Sequence, residues 1–432
     1  MPDSLKVGIA GLGTVGGGVA SLLTRHHNLI ATRAGRTVEI AAVSARDRSR
    51  DRGVDLSRAT WCDDALDLVD LPDVDLVVEA IGGADGIAKD LCIKALKAGK
   101  PVVTANKALM AEHGGTLAAL ADETGASLAY EAAVAGGIPI IKGLREGLSA
   151  NVIDGVYGIL NGTCNYILSE MRSTGRDFDD VLEEAQAKGY AEADPSFDID
   201  GVDAAHKLAI LAALAFNGTV AFDDVHVEGI RRIAARDIAY AEELGFRVKL
   251  LGIARRRLEG VALRVHPCLV PQEAPIASVE GVFNAVIAQG DFVDQVMMVG
   301  PGAGAGPTAS AVVADIVDIA RGFKLPVLGA PVNGLAPLTA VPIAQRGGAY
   351  YLRLMVSDQP GVIATIAALM RDNDISVESL LQRGRSDTDA VPVVIVTHET
   401  NEAAMQRVAD ALEREEAVLE PPHLIRIESL VH

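Results

Sequence analysis

An acidic loop that leads to a single lysine is the part of the sequence best suited to chemistry. Five carboxylates fall within the twelve residues from Glu192 to Asp203, and Lys207 follows. Asp203 and Lys207 are four residues apart, so in a helix they share one face. The apolar run 208–216 predicts that this helix is buried. Carboxylates can bind an ammonium group, and a lysine whose pKa is lowered by burial can transfer a proton. The alternative is a solvated acidic loop.

A glycine-rich turn near the start of the chain indicates where a cofactor binds. A short apolar strand, residues 6–10, leads into Gly11, Gly13 and Gly16, and a helical pattern follows. In this fingerprint the first glycine makes the tight turn, the second lets the backbone approach a pyrophosphate, and the third lets helix and strand pack. The residues expected to contact the dinucleotide here are Gly11, Leu12, Gly13, Thr14, Val15 and Gly16.

The end of the second predicted strand bears on the choice of dinucleotide. An NAD enzyme commonly has an acidic residue there for the ribose hydroxyl, whereas this chain continues with residues 44–48, which include Arg46. Arg46 is suitably placed for a 2′-phosphate; otherwise it is a solvent-exposed arginine beside Asp47. The pattern favours NADP, with NAD tolerated.

Strands and helices alternate through the first part of the chain, which predicts a doubly wound α/β domain. The strand predicted at 101–107 delivers Thr104 and Lys107 to the carboxyl edge of the sheet, where ligands of such sheets bind. A final strand of this domain is expected at 127–134. Lys107 is therefore a candidate second proton carrier or electrostatic clamp, or else a lysine that only ends a strand.

The sequence divides into three predicted domains and a linker. Residues 1–135 form the Rossmann-type nucleotide domain, and 136–325 form an α+β substrate and dimerisation domain whose last helix returns to the nucleotide domain. Residues 326–348 are rich in proline and glycine and read as a linker. Residues 349–432 follow the order βαββαβ, which is typical of a ferredoxin-like domain.

Composition excludes several classes of partner. The 432 residues carry a net charge of −19, so neither nucleic acid nor an anionic membrane is expected as a partner. No apolar run reaches membrane-spanning length, and no signal peptide is expected at the N-terminus. The four cysteines lack metal-like spacing and are expected to be reduced thiols in a cytoplasmic protein.

The motifs together resemble one family, homoserine dehydrogenase, in its long bacterial form with a C-terminal ACT domain. The resemblance runs from residue 5 to the end of the chain and is most specific over 189–208. Supporting motifs lie at 11–16, 104–107, 131–139, 161–163, 237–245 and 284–286.

The resemblance implies reversible reduction of L-aspartate 4-semialdehyde to L-homoserine with NAD(P)H, which feeds threonine, methionine and isoleucine synthesis. It implies that Lys207 is the general acid/base and that Lys107 is a second essential lysine that contacts cofactor and substrate. Further residues implied for the substrate are Glu192, Asp203, Thr163, Tyr190 and Asp198. Those implied for the cofactor are Gly189 and Gly302, in addition to Thr104 and Lys107.

A cation site and a regulatory domain are also implied. The glycine-rich turn after Glu131 offers hard backbone oxygens, which suit an alkali cation, although a plain loop has the same composition. The resemblance implies a sodium site made by Glu131 and the carbonyls of Val134, Gly136 and Ile138. It implies a homodimer or homotetramer, and L-threonine as the effector of the ACT domain.

Two other functions fit part of the sequence, and the role of one cysteine is also open. A dinucleotide-sensing regulator would need the glycine fingerprint but not the lysine and carboxylate cluster, and another semialdehyde oxidoreductase would need both. Cys164 precedes the acidic loop, and a cysteine near an aldehyde can act as a nucleophile if a base or positive field makes its thiolate. No histidine neighbours Cys164 in sequence, so we expect a structural thiol.

Overall fold

The first domain is built on a parallel sheet. The computed structural model describes residues 4–383 and 390–430. The sheet has six strands: β1 (Leu5–Ala10), β2 (Val38–Ser44), β3 (Thr60–Cys62), β4 (Leu76–Glu79), β5 (Val102–Thr104) and β6 (Leu128–Ala129). Their order β3-β2-β1-β4-β5-β6, with every pair parallel, is that of a doubly wound dinucleotide-binding fold, so this prediction is confirmed.

Helices cover this sheet, because parallel strands are apolar on both faces. They are α1 (Thr14–Arg25), α2 (His27–Ala34), α3 (Asp67–Asp70), α4 (Ile87–Lys97) and α5 (Lys107–Thr124). The strand predicted at 127–134 is shorter than expected. It ends at Ala129, and Glu131–Ala133 form a 3₁₀ turn that leaves the sheet.

The second domain places helices on a mostly antiparallel sheet. Its helices are α6 (Ile140–Lys142), α7 (Gly162–Thr174), α8 (Phe178–Ala187), α9 (Ser196–Ile199), α10 (Val202–Phe216), α11 (Ala235–Glu243) and α12 (Ala305–Ala320). Its strands are β7 (Ile153–Ile159), β8 (His226–Val227), β9 (Phe246–Arg257), β10 (Gly260–Pro271), β11 (Phe283–Gly290) and β12 (Asp294–Pro301). Strand β11 was not predicted, because a short apolar run without alternation does not distinguish strand from helix.

Two helices of this domain matter for the site. In α10 every residue from Asp203 to Phe216 is buried, so the charged first turn is enclosed together with the apolar remainder. Helix α12 leaves the second sheet and packs on α1 of the nucleotide domain. The two helices approach so closely that a Cβ atom on Gly18 would lie 2.6 Å from the carbonyl oxygen of Ala305.

The C-terminal domain has the predicted βαββαβ order. After a short strand β13 (Gly347–Gly348) its elements are β14 (Tyr350–Ser357), α13 (Val362–Asp372), β15 (Val377–Gln382), β16 (Ala390–Thr397), β17 (Thr400–Asn401), α14 (Glu402–Leu412) and β18 (Val418–Ile427). The strand order is β18-β14-β16-β15, and β18 also pairs in parallel with β10. The ferredoxin-like sheet therefore continues the sheet of the second domain.

Two general expectations can be compared with the described residues. No helix in residues 4–383 and 390–430 has both the length and the apolar character needed to cross a membrane. All four cysteines are buried and unpaired.

Candidate active site

Lys207 lies in the first turns of the buried helix α10 and is held by two acceptors. Its Nζ donates to the Asp203 carboxylate at 2.6 Å and to the Leu160 carbonyl at 2.7 Å. Burial lowers the pKa of Lys207, and the neighbouring Asp203 opposes that change. The side chain is therefore a fixed amine whose protonation state depends on burial, on Asp203 and on the nearby charge of Lys107.

Asp203 joins Lys207 to the nucleotide domain. Its second carboxylate oxygen forms an ion pair with Lys107, the first residue of α5, which follows β5 directly. Burial alone would raise the pKa of Asp203, but Lys207 and Lys107 outweigh it and hold that pKa well below its ordinary value. The carboxylate is therefore ionised and places both lysines at the carboxyl edge of the parallel sheet.

Further polar contacts fix the acidic loop against helix α7. The Asn161 side-chain amide donates to Asp198 and to Asp203, each at 2.8 Å. The Thr163 hydroxyl donates to the Tyr190 carbonyl at 2.7 Å and lies 3.2 Å from Asp198. Four residues predicted for the substrate, Thr163, Tyr190, Asp198 and Asp203, are thus joined in one hydrogen-bonded network.

The mouth of this network is formed by exposed side chains. Tyr190 and Phe197 are both exposed, and the Lys107 amine lies 5.4 Å from the centre of the Phe197 ring. Glu192 is exposed on the same loop. Gly189 has a φ of +73°, a conformation that favours glycine, and turns the chain from α8 into the loop.

The glycine fingerprint forms one side of a large cavity at the sheet edge. The cavity has a volume of about 750 Å³, and its lining includes Gly11, Gly13, Arg46, Arg50 and Arg52. A Cβ atom on Gly11 would lie 2.5 Å from the Ala80 carbonyl oxygen, whereas one on Gly13 would meet open space. Gly13 therefore leaves its backbone open to a ligand, as the fingerprint predicts.

The Thr104 side chain does not have the exposed position expected of a direct cofactor contact. It is fully buried, and its hydroxyl donates to Glu79 at 2.5 Å. Glu79 also accepts the backbone N–H groups of Ile81 and Gly82. Thr104 as a whole has no exposed surface in the structure, and its side chain fixes the turn after β4 through Glu79.

The turn after Glu131 is compact and packs on the turn that contains Gly302. A Cβ atom on Gly136 would lie 2.5 Å from the carbonyl oxygen of Gly302. Both carboxylate oxygens of Glu131 accept backbone N–H groups, from Ile141 and Lys142, at 2.9 Å. Burial, with the nearby Asp315, raises the pKa of Glu131 to about 7.

Cys164 has the surroundings of a structural thiol. It is fully buried, and its sulfur donates to the Asp198 carbonyl at 3.2 Å. Burial, then the Asp198 and Asp203 charges, raise the pKa of this thiol well above its ordinary value. These groups disfavour the thiolate that nucleophilic attack requires.

Sequence reasoning assigned no role to three residues that position the site. Asn161 holds both site aspartates, Asn284 donates to the Leu160 carbonyl at 3.0 Å, and Glu79 organises the turn after β4. The position of Asn161 could have been predicted from the sequence, because asparagine is a preferred N-cap residue. In the structure Asn161 is the N-cap of α7, and its side chain accepts the Cys164 N–H. Asn284 and Glu79 gave no such local signal.

A dinucleotide-binding fold with lysines and carboxylates at its sheet edge defines a pyridine-nucleotide-dependent oxidoreductase. Models of known families match the chain in three places: "Homoserine dehydrogenase, NAD binding domain" at residues 11–131, "Homoserine dehydrogenase" at 139–317 and "ACT domain" at 350–417. The chain belongs to the homoserine dehydrogenase family, whose members are oxidoreductases acting on a CH–OH group.

Relatives match over nearly the whole chain. A homoserine dehydrogenase of Pseudomonas aeruginosa is 48% identical and one of Neisseria gonorrhoeae 47%, each over 99% of both chains. The crystal structure of a homoserine dehydrogenase from Thiobacillus denitrificans has a TM-score of 0.93 at 45% identity, over 99% of both chains. A hyperthermophilic archaeal homoserine dehydrogenase in complex with NADPH has a TM-score of 0.64 at 27% identity, covering 74% of this chain and 99% of its own.

Proposed function

We propose that the chain catalyses the reversible NADPH-dependent reduction of L-aspartate 4-semialdehyde to L-homoserine, with Lys207 as the general acid/base. The main support is that the Asp203 carboxylate binds both Lys207 and Lys107. This contact brings the acidic loop of the second domain to the carboxyl edge of the nucleotide sheet.

The chain's own residues perform the proton chemistry. A bound nicotinamide supplies the hydride that reduces the aldehyde carbon. Negative charge develops on the aldehyde oxygen, and the ammonium groups of Lys207 and Lys107 stabilise it. Lys207 then donates a proton to that oxygen, and in the reverse direction its neutral amine accepts the alcohol proton. The lowered pKa of Lys207 favours the neutral amine that the reverse direction needs.

The remaining substrate contacts follow from the network around Asp203. Glu192 and Asp203 are the carboxylates proposed to hold the substrate ammonium group or to orient Lys207, and the buried Asp203, which already binds Lys207, suits the second role. Thr163, Asp198 and the Tyr190 backbone are proposed to line the pocket. Glu192 is exposed in the structure, so its carboxylate is open to a ligand.

For the cofactor we propose NADP, with NAD tolerated. The glycine turn would hold the pyrophosphate, and Arg46 would bind the 2′-phosphate. Arg50 and Arg52 line the same cavity and add guanidinium groups to it, although Asp47 and Asp63 in the lining offset their charge. Gly189 and Gly302 are proposed to approach the nicotinamide end.

The general acid/base role can be tested by Lys207→Ala. We expect kcat to fall by roughly 10²–10⁴-fold, because proton transfer and charge stabilisation are lost together. NADPH affinity, measured by fluorescence titration, should change little. Lys94→Ala is the control, since Lys94 pairs with Asp70 on the surface. An effect confined to KM would show that Lys207 only binds the substrate.

A sodium site at Glu131 and the carbonyls of Val134, Gly136 and Ile138 is also proposed. A cation would stabilise the ionised form of a buried carboxylate that lies beside the buried Asp315. The Ile138 carbonyl already accepts from Ile140, but a carbonyl oxygen has two lone pairs. Thermal unfolding in sodium and in choline chloride should differ for the natural protein and not for Glu131→Gln.

L-Threonine is proposed as an effector of the ACT domain, at the Asp358–Gly361 turn and the segment 373–375. A cytoplasmic homodimer or homotetramer is proposed with it. Contacts connect the ACT domain with the acidic loop: Arg426 of β18 forms ion pairs with Glu228, and two residues later the Ile230 N–H donates to the Ile199 carbonyl at 2.9 Å. Ile199 follows Asp198 directly.

The effector site is better tested by substitution than by removal of the domain. Without residues 349–432, Glu228 and the buried Asp237 would lose their cationic partners. We expect Asp358→Ala to weaken threonine inhibition while catalysis persists, and Asp410→Ala, on the exposed face of α14, to leave inhibition unchanged. Equal inhibition in both variants would locate the effector elsewhere.

A further inference from the structure

A cavity lies where the second domain, the linker and the ACT domain meet. We call it the junction cavity; its volume is about 350 Å³. Its wall includes His226, Arg257, Arg264, Arg346 and Glu399. It is separate from the dinucleotide cavity and from the lysine and carboxylate network, and the proposed function assigns it no role.

Two of its arginines are buried with incomplete partners. Arg264 and Arg346 are each 5% exposed, and both donate to the same carboxylate, Glu428, at 3.2 and 3.0 Å. Within residues 4–383 and 390–430, the Nε–H of Arg264 and the Nη1 group of Arg346 have no hydrogen-bond partner. Buried polar groups are nearly always paired, so such donors call for an explanation.

The acids near these arginines are engaged elsewhere or exposed. Glu228 and Glu402 are bound by Arg426, which occupies both carboxylates. Glu399 and Glu259 are exposed acids of the lining, and among the described residues neither forms an ion pair with Arg264 or Arg346. Two buried guanidinium groups therefore share one buried carboxylate, and one donor of each remains without a partner.

Other donors line the same wall. Arg257 is a third arginine of the lining, and its side chain is exposed. His226 adds a further nitrogen, although its Nε2 lies 2.7 Å from Glu228. Guanidinium groups match the planar or tetrahedral oxygens of carboxylate and phosphate.

We propose that the junction cavity binds a small carboxylate or phosphate anion, whose oxygens accept from Arg264, Arg346 and Arg257. A cavity of about 350 Å³ admits a small molecule and not a nucleic acid. Arg264 belongs to β10 and Arg346 to the end of the linker before β14, so the anion would join the catalytic domain to the linker that leads into the ACT domain. Glu228, which contacts His226, connects this place to the ACT contact of Arg426.

The experiment is calorimetric titration of the full chain with inorganic phosphate and, separately, with acetate, at constant ionic strength set by chloride. We expect saturable binding of one of these probes, and the probe that binds identifies phosphate or carboxylate as the ligand group. Arg257→Gln and Arg264→Gln should each weaken binding by about tenfold or more. Arg257 is exposed, so its variant is expected to fold even if the Arg264 variant does not.

Arg256→Gln is the matched control. Arg256 is the next residue on the same strand, but its guanidinium stacks on the Phe216 ring at 5.2 Å and does not line the cavity. Binding should be unchanged in this variant. Absence of saturable binding of both probes would overturn the proposal, as would equal weakening in Arg256→Gln. The proposal would also be overturned if no anion binds and Arg257→Gln changes the sedimentation coefficient. Arg257 would then contact a second copy of the chain, and that copy would cover the cavity.

Discussion

The substitution Asp203→Asn tests how the two lysines are held. Asparagine preserves the size of the side chain and one oxygen acceptor but removes the charge that binds Lys207 and Lys107. Protonated Lys207 then loses its ionic partner while burial continues to disfavour its charge. The pKa of Lys207 should therefore fall further below its ordinary value.

The expected magnitude follows from the geometry of the pair. Unit charges about 4 Å apart interact by about 4 kcal/mol at an effective dielectric constant of about 20. One pKa unit corresponds to about 1.4 kcal/mol, so the pKa of Lys207 should fall by at most about 2–3 units in this variant. The neutral amine is the form that accepts the alcohol proton, so the acid limb of kcat/KM for homoserine oxidation should move to lower pH.

The assay follows nicotinamide absorbance in both directions as a function of pH. We expect kcat to decrease by roughly 10²–10³-fold, because both lysines lose their anchor. Asp200→Asn is the control, since Asp200 lies in the same loop but binds Arg231. Thermal unfolding of both variants separates loss of structure from loss of chemistry. An active Asp203→Asn variant with an unmoved acid limb would refute Lys207 as the titrating base.

Three further predictions concern the cofactor, the thiol and the domain junction. Arg46→Gln should raise the Kd of NADPH about tenfold and leave that of NADH nearly unchanged, as measured by fluorescence titration. An equal loss of affinity for both dinucleotides would show that Arg46 does not bind the 2′-phosphate. Cys164→Ser should retain activity within about twofold, because burial disfavours the thiolate, whereas a trapped acyl-enzyme in the natural protein would contradict this. Asp237→Asn should lower the free energy of unfolding by about 3–5 kcal/mol in urea titrations, since Arg353 and His423 lose a buried partner. Burial would raise the pKa of Asp237, but His423 and Arg353 outweigh it and lower that pKa to about 2. The stabilisation that Asp237 provides is therefore present above its ordinary pKa of 3.8 and is lost as pH falls toward 2. If Asp237→Asn were still less stable than the natural protein at pH 2, this account would be contradicted.

Local patterns accounted for most of the architecture. The glycine fingerprint, the buried helix that carries Lys207 and the βαββαβ order all depend on residues close together in sequence. Backbone conformation and periodic burial act over a few residues, so the sequence expresses them directly. The short β6 and the missed β11 are exceptions, because tertiary packing decided where those strands begin and end.

The sequence by itself determined which residue types are available for proton transfer and cofactor binding, and approximately which elements carry them. Only the tertiary structure decided that Asp203 binds Lys107 as well as Lys207, that Thr104 turns inward to Glu79, and that Arg264 and Arg346 share Glu428. Each of these contacts joins segments distant in sequence, and its energy depends on separation and burial. Neither quantity exists until the domains have packed together.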